Sequence, residues 1–100
     1  MDIKKSKFYR DQCYINGKWV NSNSKEIISV NNPASLEEIG TVPKCGREET
    51  AIAINAANNA WPEWKSKSAR ERSNILKKWF DLIIENREEL SQIMTVEQGK

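Results

Sequence analysis

Histidine is absent from the 100 residues, and cysteine occurs only twice, as Cys13 and Cys45. Without histidine the chain cannot build a Ser-His or Cys-His catalytic pair, and most zinc sites are excluded too. The two cysteines fit neither a Cys-x-x-Cys motif nor a zinc pattern. Glycine is sparse, and Gly17, Gly40, Gly46 and Gly99 are too scattered for Gly-x-Gly-x-x-Gly or a P-loop. Gly99-Lys100 is not a Walker motif, because the upstream glycine is missing. No apolar run approaches the ~18 residues of a membrane span, and none reads as a signal peptide. Lys4, Lys5, Lys7 and Arg10 make a basic lead, but Asp2 and Asp11 interrupt it and serine is scarce there. That argues against a mitochondrial transit peptide. The net charge is only +2, which gives no electrostatic reason for a nucleic-acid partner. Two free thiols without a secretory signal point to a reducing cytoplasm.

Charged residues make up 30% and hydrophobic residues 38% of the chain, a soluble and folding composition. One hundred residues make one domain or a piece of one, with a narrow margin for a core. Residues 1–10 read as a flexible tail, and 11–100 as the folded part. Cys13-Tyr14-Ile15 and Lys18-Trp19-Val20 flank Asn16-Gly17, the strongest short hairpin signal, since both turn positions tolerate φ > 0. Asn21 to Ser24 form a second turn. Ile27 to Val30 read as a third strand, halted by Asn31-Asn32-Pro33. Ile39 to Val42 read as a weak fourth, closed by Pro43.

The period then changes. Ala53, Ala57, Ala60, Trp61 and Trp64 fall at helical spacing, with Glu48 and Glu49 placed to suit the helix dipole. Pro62 is expected to end this helix or open a turn. Ser68-Ala69-Arg70-Glu71 reads as a capping box. The helix it starts gathers Ile75, Leu76, Trp79, Phe80 and Ile83 on one face. Asn86, with Glu89 three residues later, predicts a break and a second capped start. Leu90, Ile93 and Met94 mark a last helix, and Gly99 a natural stop. The expected class is α/β: short antiparallel hairpin strands followed by three helices.

Candidate chemistry is thin. Cys13 reads as a small packing residue in a strand. Cys45 precedes Gly46 in a loop, where Lys44 and Arg47 could lower its pKa and make a reactive thiol. The adjacent pairs Glu37-Glu38, Glu48-Glu49 and Glu88-Glu89 do not face each other, so they make poor acid–base dyads and read as solvated faces. Lys65, Lys67, Arg70 and Arg72 lie beside Trp61 and Trp64. Tryptophans at helical apolar spacing speak for packing rather than for stacking on single strands.

In order along the chain, Tyr14-Ile15-Asn16-Gly17-Lys18-Trp19, Ala60-Trp61-Pro62-Glu63-Trp64, Ser68-Ala69-Arg70-Glu71-Arg72 and Thr95-Val96-Glu97-Gln98-Gly99-Lys100 resemble the N-terminal part of an NAD(P)-dependent aldehyde dehydrogenase. The resemblance covers Arg10 to Lys100; members of that family are several times longer. Val42-Pro43-Lys44-Cys45-Gly46, Glu49-Thr50 and Lys78-Trp79-Phe80 resemble the succinate-semialdehyde dehydrogenase group. The resemblance implies a complete enzyme in which a cysteine thiolate attacks the aldehyde, hydride passes to NAD or NADP, and a glutamate activates water. Those parts lie downstream in the family, and neither Cys13 nor Cys45 matches the family's cysteine motif. Catalytic, cofactor-binding and metal residues are therefore all expected to be none in this chain. Some members hold a monovalent cation through carbonyls near an Asn-Pro turn; Val30 and Asn31 are the nearest positions, and no site is assigned to them. The expected function is that of an N-terminal dehydrogenase fragment, inactive alone. Its expected partner is a second chain carrying the rest, or another copy of itself. The alternative is a non-enzymatic interaction module that retains the same packing surface.

Overall fold

The computed structural model describes residues 1–100. A short 3-10 helix, Ile3–Lys5, is followed by strands β1 (Cys13–Ile15), β2 (Lys18–Val20), β3 (Ile27–Asn31) and β4 (Glu38–Pro43). Helices α1 (Arg47–Ser66), α2 (Ala69–Glu85) and α3 (Arg87–Gln98) complete the chain. The strands form two separate antiparallel pairs, β1 with β2 and β3 with β4. This is the α/β arrangement the sequence implies.

The first hairpin is built by its turn. Asn16 takes φ 53° and Gly17 φ 77°, the pair of positive values that a two-residue primed turn demands. Ile15 then lies opposite Lys18 and Cys13 opposite Val20. Tyr14 and Trp19 face each other across the strands, ring centres 5.0 Å apart, a cross-strand aromatic pair. The second hairpin aligns Ile27 with Pro43 and Val30 with Gly40, with an irregularity at Val30/Asn31. Pro43 lies inside β4 rather than after it, a place open to proline at the end of an edge strand.

Helix α1 runs through Pro62 and stops at Ser66, so the proline neither ends the helix nor opens a turn. Proline removes only its own N–H, and the following turn is hydrogen-bonded around it. The Ser66 hydroxyl donates to the Glu63 carbonyl at 2.7 Å, and the Lys67 N–H to that of Trp64 at 3.2 Å. Ser68 accepts the Glu71 N–H at 3.1 Å and starts α2 as the sequence requires. Only the serine half of the expected box forms, since no bond returns from the Glu71 side chain. The break at Asn86 is present, but its side chain does not cap α3. It turns back instead, donating to the Leu82 carbonyl at 2.8 Å and closing α2. Gly99 ends α3 with φ 76°.

In the structure residues 1–10 lie against the rest of the chain. Ile3 is buried, at 3% exposure. The 3-10 helix rests on β4, and the Ser6 hydroxyl donates to the Glu89 carboxylate at 2.5 Å. A β-carbon built on Gly40 would stand 2.7 Å from the Tyr9 hydroxyl, so only glycine lets that ring lie on the strand. The segment is polar overall, and its contacts with β4 come from the Ile3–Lys5 helix and from Tyr9 over Gly40.

Elsewhere the layers are open. The radius of gyration is 16.6 Å, against about 13 Å for a compact chain of this length. The accessible surface is 8138 Å², against roughly 5,800 Å² for a compact monomer of this mass. Trp79 (62% exposed), Phe80 and Leu82 face outward from α2. The 38% hydrophobic content is present, but little of it is enclosed.

Candidate functional site

The most organised polar cluster lies where the β2–β3 turn meets the start of α1. Glu49 is buried there at 7% exposure. Its carboxylate accepts the Asn23 N–H at 2.6 Å and the Gly46 N–H at 2.8 Å. The donor N–H groups of Asn23, Gly46 and Glu49 itself hold the carboxyl below its usual range, against an opposing effect of burial. Ser22, also buried, donates to the Glu26 carbonyl at 2.9 Å. Glu49 therefore departs from the solvated face its pairing with Glu48 suggested, because only the second member of the pair turns inward.

Glu37 and Glu38 are both exposed, as a solvated face requires, and Glu38 accepts from the Ser29 hydroxyl at 2.6 Å. Glu89 is half-buried and accepts from Ser6, while Glu88 stays exposed and accepts from Gln92 within α3. None of the three pairs forms a dyad.

Cys13 and Cys45, 32 residues apart in sequence, stand with sulfurs 3.8 Å apart. Both are half-buried free thiols. Burial, then the hydrogen bond and the charge of Cys13, then Glu49, raise the Cys45 pKa. This runs against the lesser reading of Cys45, activation by Lys44 and Arg47. The contact that decides the matter is long-range, and no local motif announces it.

The four glycines serve separate structural tasks. Gly17 forms a hairpin turn, Gly40 lies under Tyr9, and Gly99 ends a helix. Gly46 does open a helix, but its N–H is taken by Glu49, whose negative charge repels a phosphate. Asn31 uses its side chain to donate to the Leu36 carbonyl at 3.0 Å, closing the β3–β4 turn. No group of three or more His, Cys, Asp or Glu residues is assembled. No helix is long and apolar enough to cross a membrane.

Of the basic residues near Trp61 and Trp64, Lys65 and Arg70 are exposed and Lys67 and Arg72 half-buried. Trp61 is half exposed, while Trp64 turns toward Ala69, Arg72 and Leu76 at the α1–α2 junction. A second apolar cleft runs between Phe8, Trp79, Leu82, Ile83 and Leu90. It joins the helices to the N-terminal segment, and its outer wall is open.

The aldehyde dehydrogenase family model matches residues 19–100. Over all 100 residues the chain is 50% identical to a glutarate-semialdehyde dehydrogenase of Pseudomonas aeruginosa, of which it covers 21%. It is 46% identical to the NADP(+) succinate-semialdehyde dehydrogenase of Escherichia coli, again covering 21% of it. Among solved structures, the betaine aldehyde dehydrogenase of Staphylococcus aureus in complex with NAD+ superposes with a TM-score of 0.91 at 32% identity, over 99% of this chain and 20% of that one. The succinate-semialdehyde dehydrogenase of Burkholderia pseudomallei gives 0.86 at 49% identity, over 89% of this chain and 18% of that one. The chain thus spans about a fifth of the length of the proteins it matches.

Proposed function

We propose, from the premise that this chain belongs to the aldehyde dehydrogenase family, that it is the N-terminal packing segment of an NAD(P)-dependent semialdehyde dehydrogenase. The observation that carries this reading is the unbroken match over all 100 residues to enzymes of that kind, at 50% and 46% identity. Both of those relatives are named for a short aldehyde with a carboxylate at its far end. The substrate class we assign to the complete enzyme is therefore an ω-carboxy aldehyde of succinate or glutarate type, oxidised to the dicarboxylic acid in the cytoplasm.

In this reading the 100 residues contribute no reacting group. Cys45 is held as the protonated thiol, and the glycines make no phosphate cradle. Their work is mechanical. Glu49 fixes the hairpins to α1, and α2 presents the apolar side chains of Trp79, Phe80 and Leu82. Burying such a face against the remaining dehydrogenase contributes roughly 25 cal/mol per Å². A polypeptide carrying the other four-fifths is the partner this surface suits.

The test is cofactor reduction with succinate and glutarate semialdehydes. The purified chain alone is expected to give none with NAD or NADP. Joined in one polypeptide to the remaining sequence of the Pseudomonas aeruginosa relative, it is expected to restore turnover. Turnover by the chain alone would overturn the reading. Failure of the joined polypeptide, with the relative's own segment active in the same assay, would favour a non-enzymatic interaction module.

A further inference from the structure

The cysteines are the one pair of nucleophilic side chains that the packing-segment reading leaves without a role. Cys13 lies on β1, opposite Val20. Cys45 lies in the two-residue connection between Pro43, the end of β4, and Gly46, which opens α1. Their sulfurs are 3.8 Å apart. A disulfide requires about 2.05 Å between sulfurs, so side-chain rotation with a small shift of the connection closes the gap. We propose that Cys13 and Cys45 form a modification site, a dithiol that oxidises to an intramolecular disulfide and clamps the first hairpin to the entry of α1.

Two features support a built pair over a chance approach. The segments are already tied by Glu49, which accepts from Asn23 after the first hairpin and from Gly46 beside Cys45. Both thiols are half-buried, open to a small oxidant but crowded for a second protein chain. A cytoplasmic disulfide is commonly transient and redox-sensing, and reversibility suits a pair with no other covalent partner.

The chemistry balances with a low-molecular-weight disulfide as the oxidant. The Cys13 thiolate attacks one sulfur of oxidised glutathione, and one glutathione thiolate leaves. Cys45, whose burial beside Cys13 and Glu49 keeps it protonated, acts second. On losing its proton it attacks the Cys13 sulfur of the mixed disulfide and expels the second glutathione. The protein loses two protons and two electrons, and one glutathione disulfide becomes two thiols.

The experiment equilibrates the purified chain with a glutathione redox buffer, in native solution and in concentrated guanidinium, and reads the products by intact mass. The expected native product is a monomer lighter by two hydrogens, restored by dithiothreitol. Its formation constant should exceed that in guanidinium by at least about tenfold, since the fold raises the effective concentration of one thiol at the other. Cys13→Ser and Cys45→Ser should each yield only the glutathione adduct. Equal constants in the two solvents would overturn the proposal. So would a native product consisting of glutathione adducts or cross-linked dimers.

Discussion

The Glu49 carboxylate accepts the Asn23 N–H at 2.6 Å, joining the first turn of α1 to the turn between the two hairpins. A charged acceptor on a backbone donor is a strong form of hydrogen bond, and this one is part-buried. Removing the acceptor loses that bond and leaves the Gly46 N–H without its partner as well. Glu49→Ala should therefore lower the thermal midpoint more than Glu49→Gln, which keeps one acceptor oxygen. Equal midpoints for both variants and the parent chain would remove Glu49 from its role.

The same residue sets an acid dependence. Its folded pKa lies below the ordinary value of about 4.3. A lowered folded pKa means that the unfolded chain binds the proton more readily. The stabilisation is complete above the unfolded value and is lost as pH falls through the folded one. Denaturant titrations at a series of pH values should show the parent chain more stable than Glu49→Gln near neutrality, with the difference shrinking below about pH 4. A difference constant across that range would contradict the assignment.

Ser68 caps α2 through the Glu71 N–H. Ser68→Ala should cost about 1 kcal/mol and Ser68→Asp should cost little, as read by urea unfolding followed by helical circular dichroism. No loss in the alanine variant would show that the cap contributes nothing.

Gly40 allows Tyr9 to lie on β4, and an added β-carbon would meet the hydroxyl at 2.7 Å. Gly40→Ala should destabilise by about 1–3 kcal/mol through overpacking. In a Tyr9→Ala background the same change should cost clearly less. Additive losses in this double-mutant cycle would place the strain elsewhere.

Local chemistry made the turns and caps legible in sequence. Asn16-Gly17 gave the hairpin and its register, Ser68 gave the start of α2, and Asn86 gave its end. In each case the deciding groups lie within four residues of one another. Pro62 misled because it sits four residues before the end of a 20-residue helix, where the one lost bond to the i−4 carbonyl costs less than ending the helix. The docking of Ile3 and Tyr9, the inward turn of Glu49 and the meeting of Cys13 with Cys45 all depend on contacts across many residues. Neither periodicity nor a spacing rule reports those. The family resemblance was readable for a different reason: it rests on ordered segments spread along the whole chain.

The central claim is that α2 presents apolar side chains which the rest of a dehydrogenase completes. Trp79, Phe80, Leu82, Ile83 and Ile84, all on α2, are substantially exposed, and apolar surface gathered on one element in this way suits an interface. The most direct measurement is fluorescence of the apolar dye ANS on the isolated chain, titrated with a polypeptide carrying the remaining four-fifths of the Pseudomonas aeruginosa relative, with sedimentation in parallel. The account predicts strong dye binding or self-association of the chain alone. Both should fall to baseline as the complement is added, in step with the appearance of a single larger species. A compact monomer that melts sharply, binds no dye and ignores the complement would contradict it.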